Sequence, residues 1–269
     1  MTDGILAALL SVTGFCVGSF LNVVVHRLPI MLTSGSVTEG KAQRFNLFTP
    51  RSACPSCGRT IVARENIPLL SYIALGGRCS ACNWRIPVHY PAVELLAGVL
   101  PPLFVIALPS QQQAIAATFF AWSAICLAVI DIRHKLLPDA LTIPLIWAGL
   151  LLSLGSIFTT PEQAIAGAVG GYVAFWTIDQ AGRLLWRRVV IGHGDFKLFA
   201  AIGSWLGWPS LPYVLLVASC IGAVVGLALI AIGWHERSKP LPFGPFLVVG
   251  ALLTMLTGQA SARWIGLPL

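Results

Sequence analysis

The chain has 269 residues, 57% of them hydrophobic and 10% charged, with a mean hydropathy of +0.82. A soluble domain carries about 25% charged residues, so this composition excludes a chain whose whole surface faces water. The formal net charge of +7 reads as a record of membrane orientation, because Lys and Arg collect in cytoplasmic loops, and not as an affinity for nucleic acid.

A membrane span needs about 20 mostly apolar residues. In chain order, eight segments read as spans: about 5–25, 90–108, 113–130, 139–158, 163–182, 196–208, 211–233 and 241–258. The first has no basic region before it and no small-residue cleavage signal after it, so it is expected to be retained and not removed as a signal peptide. The sixth is short and holds Gly203 and Gly207, with Pro209 just beyond. It is expected to be a tilted helix buried among the others.

Eight spans leave loops 26–89, 131–138, 183–195 and 234–240 on one side. All 17 Lys and Arg residues except Arg263 lie in these loops or at their edges, including Lys41, Arg44, Arg188, Arg237 and Lys239. That split predicts a cytoplasmic address for the four loops and places both termini outside. The fold class is therefore an all-α polytopic membrane protein of about eight transmembrane helices with one small cytoplasmic loop domain. Three regions follow: 1–25 as the first helix, 26–89 as the loop domain and 90–269 as a seven-helix membrane domain. The Pro, Gly and Arg content of the loop domain predicts turns and short strands.

Cys16, Cys126 and Cys220 lie in apolar runs and read as small core residues. The remaining cysteines form two pairs, Cys54-Pro55-Ser56-Cys57 and Cys79-Ser80-Ala81-Cys82, separated by 21 residues. Two such knuckles supply four thiolates for a tetrahedral structural zinc. Disulfides are disfavoured in a reducing cytoplasm, and so small a loop has little core of its own. A redox pair or free thiols are the alternative.

The acidic residues are few enough to take singly. Asp3, Glu39, Glu65, Glu162 and Glu236 read as solvated. Asp179 stands four residues before Arg183, which predicts an ion pair along one helix. Asp139 follows Pro138 and suits an N-cap, and Glu94 lies near a helix start, where the dipole favours it. Asp131 and Asp195 remain, one closing the third apolar run and the other opening the sixth. Ionisable groups at the membrane boundary are costly and are functional candidates. Two carboxylates brought together cannot both ionise easily, which leaves one as base and one as acid. Gly192 and Gly194 would let the backbone approach closely. The helix dipole favours Asp195 as the base and Asp131 as the acid. Helix capping, or pairing with Arg133 and Lys197, is the alternative for both.

These residues resemble the type IV prepilin peptidases, also called leader peptidase/N-methyltransferases, over nearly the whole chain. The resemblance is carried by Gly18-Ser19-Phe20-Leu21-Asn22, His26-Arg27-Leu28-Pro29, both cysteine pairs and Asn66-Ile67-Pro68-Leu69-Leu70-Ser71-Tyr72. It continues through Tyr90-Pro91-Ala92-Val93-Glu94, Asp131-Ile132-Arg133, Leu137-Pro138-Asp139, Gly192-His193-Gly194-Asp195-Phe196-Lys197 and Pro242-Phe243-Gly244-Pro245-Phe246. It implies a G-x-G-D aspartyl protease of the bacterial inner membrane, with Asp131 and Asp195 catalytic and the active site facing the cytoplasm. The substrates implied are type IV prepilins or type II secretion pseudopilins, cut after Gly to release a basic leader. It also implies methylation of the new N-terminus with S-adenosylmethionine, a function associated with the first cytoplasmic loop and with the residue that is Gly77 here. Glu65 and Glu94 are the only acidic candidates outside the dyad for recognising the leader. A peptidase without methyl transfer, and a non-enzymatic scaffold whose zinc loop binds a partner, are the competing readings.

Overall fold

The structure, a computed structural model, describes residues 2–33, 46–187, 191–233 and 241–257. The expectations for Glu39, Lys41, Arg44, Arg188, Glu236, Arg237, Lys239 and Arg263 lie outside the described residues. Each expected span is a helix: α1 (Thr2–Thr33), α3 (His89–Ala107), α4 (Gln111–His134), α5 (Asp139–Ser153), α6 (Pro161–Trp186), α7 (His193–Leu206), α8 (Leu211–Ala231) and α9 (Gly244–Thr257). A five-residue helix, α2 (Leu70–Ala74), lies in the first loop.

Among the described residues, four segments are long and apolar enough to cross a membrane: Thr2–Thr33, His89–Ala107, Gln111–His134 and Trp208–Ala231. Asp139–Ser153 and Gly244–Thr257 are shorter apolar helices. Helix α6 has the length, but glycines and polar termini dilute its apolar character. Helix α7, at 14 residues, spans only about 21 Å. Helix α1 does not stop at residue 25 but runs on through His26, Arg27 and Pro29 to Thr33. Charged side chains end an apolar run without ending a helix, and the proline's fixed φ is itself helical.

The chain divides into two compact units, Met1–Cys126 and Leu127–Leu269. In the first, α1 packs on α3 through Gly14 and Gly18. A side chain at Gly14 would strike the Ala97 carbonyl, and one at Gly18 would lie 2.7 Å from the Glu94 Cα. Small residues at such a contact let two backbones approach where lipid supplies no hydrophobic drive. A polar bond stitches the seam, the Ser11 hydroxyl donating to the Gly98 carbonyl at 2.9 Å, and the Trp122 indole N–H ties α4 to α3 at the Ala97 carbonyl at 2.9 Å.

The first loop contains no strand among its described residues. The expected short strands reduce to two isolated bridges, Ala53 with Thr60 and Arg78 with Arg85. Each flanks one cysteine pair, so the loop is ordered around sulfur and not around a sheet.

In the second unit, α7 is the central element. Phe196 and every residue from Leu198 to Trp205 are buried, so the short sixth segment is an interior helix. Trp205 donates its indole N–H to the Leu145 carbonyl of α5 at 2.8 Å. On the α6 side, glycine meets glycine: a side chain at Gly167 would strike the Gly203 carbonyl, and one at Gly203 the Gly167 carbonyl. Pro161 opens α6, and the Thr160 hydroxyl accepts the Gln163 N–H as its N-cap. Of the cysteines expected in the core, Cys126 is buried, whereas Cys16 and Cys220 are exposed on their helices, where an apolar thiol suits a lipid face as well as a core.

Candidate functional site

The two cysteine knuckles are built to one plan. Cys54 N–H donates to the Arg59 carbonyl at 2.9 Å, and Cys79 N–H to the Trp84 carbonyl at 2.9 Å. Gly58 N–H returns to Cys54 at 2.9 Å, and Asn83 N–H to Cys79 at 3.0 Å. Both return residues are left-handed, Gly58 at φ 71° and Asn83 at φ 57°. Gly and Asn are the residues that tolerate this conformation best. The four sulfurs lie within 4.8 Å of one another. A tetrahedron with Zn–S of about 2.3 Å sets its sulfurs about 3.8 Å apart, and the Cys54 and Cys82 sulfurs stand 3.8 Å apart. The donor set thus fits zinc. The backbone N–H groups of Ala81 and Cys82 bond the Cys79 sulfur and lower its pKa, which favours the thiolate form that a metal takes. Glu65 is held below the usual carboxylate range by the Ser80 hydroxyl and the Arg59 guanidinium. It ties the two knuckles together, because Ser80 and Arg59 come from different ones.

The second constellation lies wholly in the second unit. Asp131 sits one turn before the end of α4 and is 6% exposed. Its Oδ2 accepts the Gly244 N–H at 3.1 Å. Asp195 occupies the first turn of α7, after Gly192 as N-cap, and is half-buried. The charges of Asp195 and Asp131 lie close enough to interact. The structure therefore brings together two carboxylates 64 residues apart in sequence.

Gly194 and Gly244 both meet Leu137. A side chain carbon on Gly194 would lie 2.7 Å from Leu137 Cβ, and one on Gly244 would lie 3.5 Å from Leu137 Cδ1. The space saved at Gly194 is thus filled by Leu137. Gly192 has only Asp195 Oδ2 near it, at 3.3 Å.

Other acidic residues have separate partners. Lys197 pairs with Asp139 at 2.6 Å. Asp139 is the first residue of α5, with Pro138 in the cap position. It is therefore an ion-pair partner and not the expected N-cap, because Pro138 already supplies the extended turn into the helix. Asp179 pairs with Arg183 at 2.6 Å, as the spacing predicts, and accepts the Ile191 N–H at 3.4 Å. It thereby holds the backbone just before Gly192. Glu94 accepts the Leu69 N–H at 2.9 Å.

Sequence reasoning gave no role to Gly244 or Leu137. Gly244 and Leu137 stand in motifs that carry the family resemblance, and that was their only signal. Asp179 was legible as a salt bridge but not as the anchor of residue 191.

Residues 12–108 match the Bacterial Peptidase A24 N-terminal domain, and residues 118–227 match the Type IV leader peptidase family. The chain is 43% identical over 260 residues to the prepilin leader peptidase/N-methyltransferase of Aeromonas salmonicida (strain A449), covering 92% of this chain and 89% of that one. It is 43% identical over 278 residues to the protein of the same name from Burkholderia pseudomallei (strain K96243), covering 99% and 90%. With that of Pseudomonas aeruginosa it shares 40% over 260 residues, covering 93% and 90%. No solved structure matches the chain.

Proposed function

The chain belongs to the Type IV leader peptidase family, and from that premise we propose how its residues divide the work. It is a membrane enzyme with prepilin peptidase and N-methyltransferase activity. We assign the peptidase site to residues 90–269 and methyl transfer to the region around 26–89. Its substrates are prepilins or pseudopilins whose basic leader is removed after Gly.

The observation that carries the peptidase reading is the buried Asp131 carboxylate, oriented by the Gly244 N–H and within electrostatic reach of Asp195. One carboxylate takes a proton from a water held between them. The other protonates the leaving nitrogen as the C–N bond breaks. The two titrate as a pair, so the roles belong to the dyad. The basic loops support a bacterial inner-membrane placement, with the dyad facing the cytoplasm and both termini outside.

Gly244→Ala tests the orientation. Its new carbon would lie 2.7 Å from Asp131 Oδ2 and must displace that oxygen. Leader cleavage is expected to fall by about 10²-fold, in kcat with little change in KM. Wild-type kcat in this variant would remove the Gly244 contact from the mechanism.

Cys54, Cys57, Cys79 and Cys82 would hold zinc, which would close the two knuckles and leave no open coordination position for chemistry. Metal chelation is expected to unfold the loop, speeding limited proteolysis within residues 46–88 by at least about tenfold, while prepilin cleavage continues. A loop that stays protease-resistant after chelation would show that the metal does not hold the fold.

S-Adenosylmethionine would supply a methyl group whose C–S bond breaks as the new N–C bond forms, the electron pair staying on sulfur and the amine's proton passing to water. Gly77 has φ 67°, a conformation other residues adopt at a cost. A side chain there would press on the Tyr72 ring at 3.0 Å.

A further inference from the structure

The first unit contains a cavity of about 370 Å³ bounded by the knuckles and by residues of α1 and α3. That volume lies within the range of small-molecule sites. Tyr72, Trp84 and Tyr90 line it, with the carboxylates Glu65 and Glu94 and the basic side chains of His26, Arg27 and Arg51. Aromatic walls suit a flat heterocycle, and a lining of both signs suits a ligand that carries both charges.

Asn22, on α1, gives an independent sign of a ligand. It lines the cavity and is only 6% exposed. Its Nδ2 donates to the Tyr90 carbonyl at 3.0 Å, which fixes the carboxamide. Its Oδ1 is buried and has no hydrogen-bond partner among the described residues. Buried polar atoms are nearly always paired, and each exception calls for an explanation. A ligand in the cavity that Asn22 lines would supply the missing donor.

We propose that this cavity binds the adenosyl sulfonium methyl donor and that the Asn22 carboxamide oxygen accepts one of its N–H groups. The proposal rests on the methyltransferase reading and adds its binding site. The ligand meets each demand of the lining. It carries a flat purine for the aromatic rings, a positive sulfonium for the carboxylates, a carboxylate for the basic side chains, and N–H donors on both its purine and its amino-acid end. Gly77 falls into place behind this wall. Lacking a side chain, it leaves room for the Tyr72 ring that lines the cavity. The donor site then extends beyond the loop into α1 at Asn22 and α3 at Glu94.

The test is binding of S-adenosylhomocysteine to the purified, full-length, zinc-loaded protein in detergent, measured by calorimetry. Resistance of residues 46–88 to limited proteolysis in the same preparation reports that the loop is folded. Asn22→Leu removes the acceptor and is expected to raise Kd by at least about tenfold. Trp84→Ala removes an aromatic wall from a different element, so it carries the test if Asn22→Leu does not fold, and a similar rise is expected. Wild-type Kd in a folded variant of either kind overturns the site. If the wild type methylates cleaved pilin while these variants bind normally, the donor site lies elsewhere and the methyltransferase reading stands. If the wild type neither binds the probe nor methylates, that reading falls and the site falls with it.

Discussion

Asp131→Asn and Asp195→Asn are each expected to lower leader removal by about 10³-fold or more, with the protein still folded in the membrane. Asparagine keeps the shape of aspartate and an oxygen that can still accept the Gly244 N–H, so the packing around Asp131 is preserved. It cannot exchange a proton in the range where a carboxylate does, and that is the one property the dyad needs. The double variant is expected to be no worse than either single one, because groups that act as a unit are not additive. Timed digestion of a prepilin in detergent, followed by mobility on a gel, measures all three rates. Cleavage within about threefold of wild type by either single variant would remove the aspartyl mechanism. The competing ion pair with Lys197 is weakened, because its ammonium bonds Asp139.

The second large effect is expected far from the carboxylates. Gly203→Leu places a branched side chain against the backbone of Gly167, where even one carbon would strike the carbonyl. Backbone cannot swing aside as a long side chain can, so α6 and α7 must separate. Overpacking a core costs about 1–3 kcal/mol, and a rigid glycine–glycine crossing belongs at the upper end or beyond. The damage is functional as well as structural, because α7 carries Asp195 two turns earlier. Thermal unfolding in detergent should begin at a clearly lower temperature, and cleavage should fall even at temperatures where the protein remains folded. Gly170→Leu is the control on α6, the other helix of the crossing, since a side-chain carbon there meets nothing within 4 Å. Equal loss in both variants would mean that the crossing itself is not the cause.

The helices were legible because apolar runs of the right length have few other solutions, and all eight lie close to where hydropathy puts them. Their ends were less legible. Helix α1 outruns its apolar stretch because His26 and Arg27 change its surroundings and not its backbone. Helix α7 reads as a doubtful span because its length is set by burial among neighbours and not by bilayer thickness. In the site, the cysteines were legible from spacing, and the aspartates from being ionisable residues at the ends of apolar runs. Gly244 was not. Its part is played by a backbone N–H, which every residue but proline has, so nothing in its side chain announces it. Asn22 was hidden for a related reason: its importance lies in an oxygen left without a partner, and only packing reveals that.

Arg27 fixes the geometry of the loop from the membrane side. It is 7% exposed, and its two terminal nitrogens donate separately to the carbonyls of Asn46 at 2.8 Å and Pro50 at 2.6 Å. A planar fork can hold two carbonyls at once, whereas the single ammonium of lysine would have to choose between them. The approach to the first knuckle is thereby moored to α1 by a clasp independent of sulfur. Stripping the metal should therefore leave a tethered stump instead of a free-swinging strand, and rebinding should begin from a chain already aimed at its target.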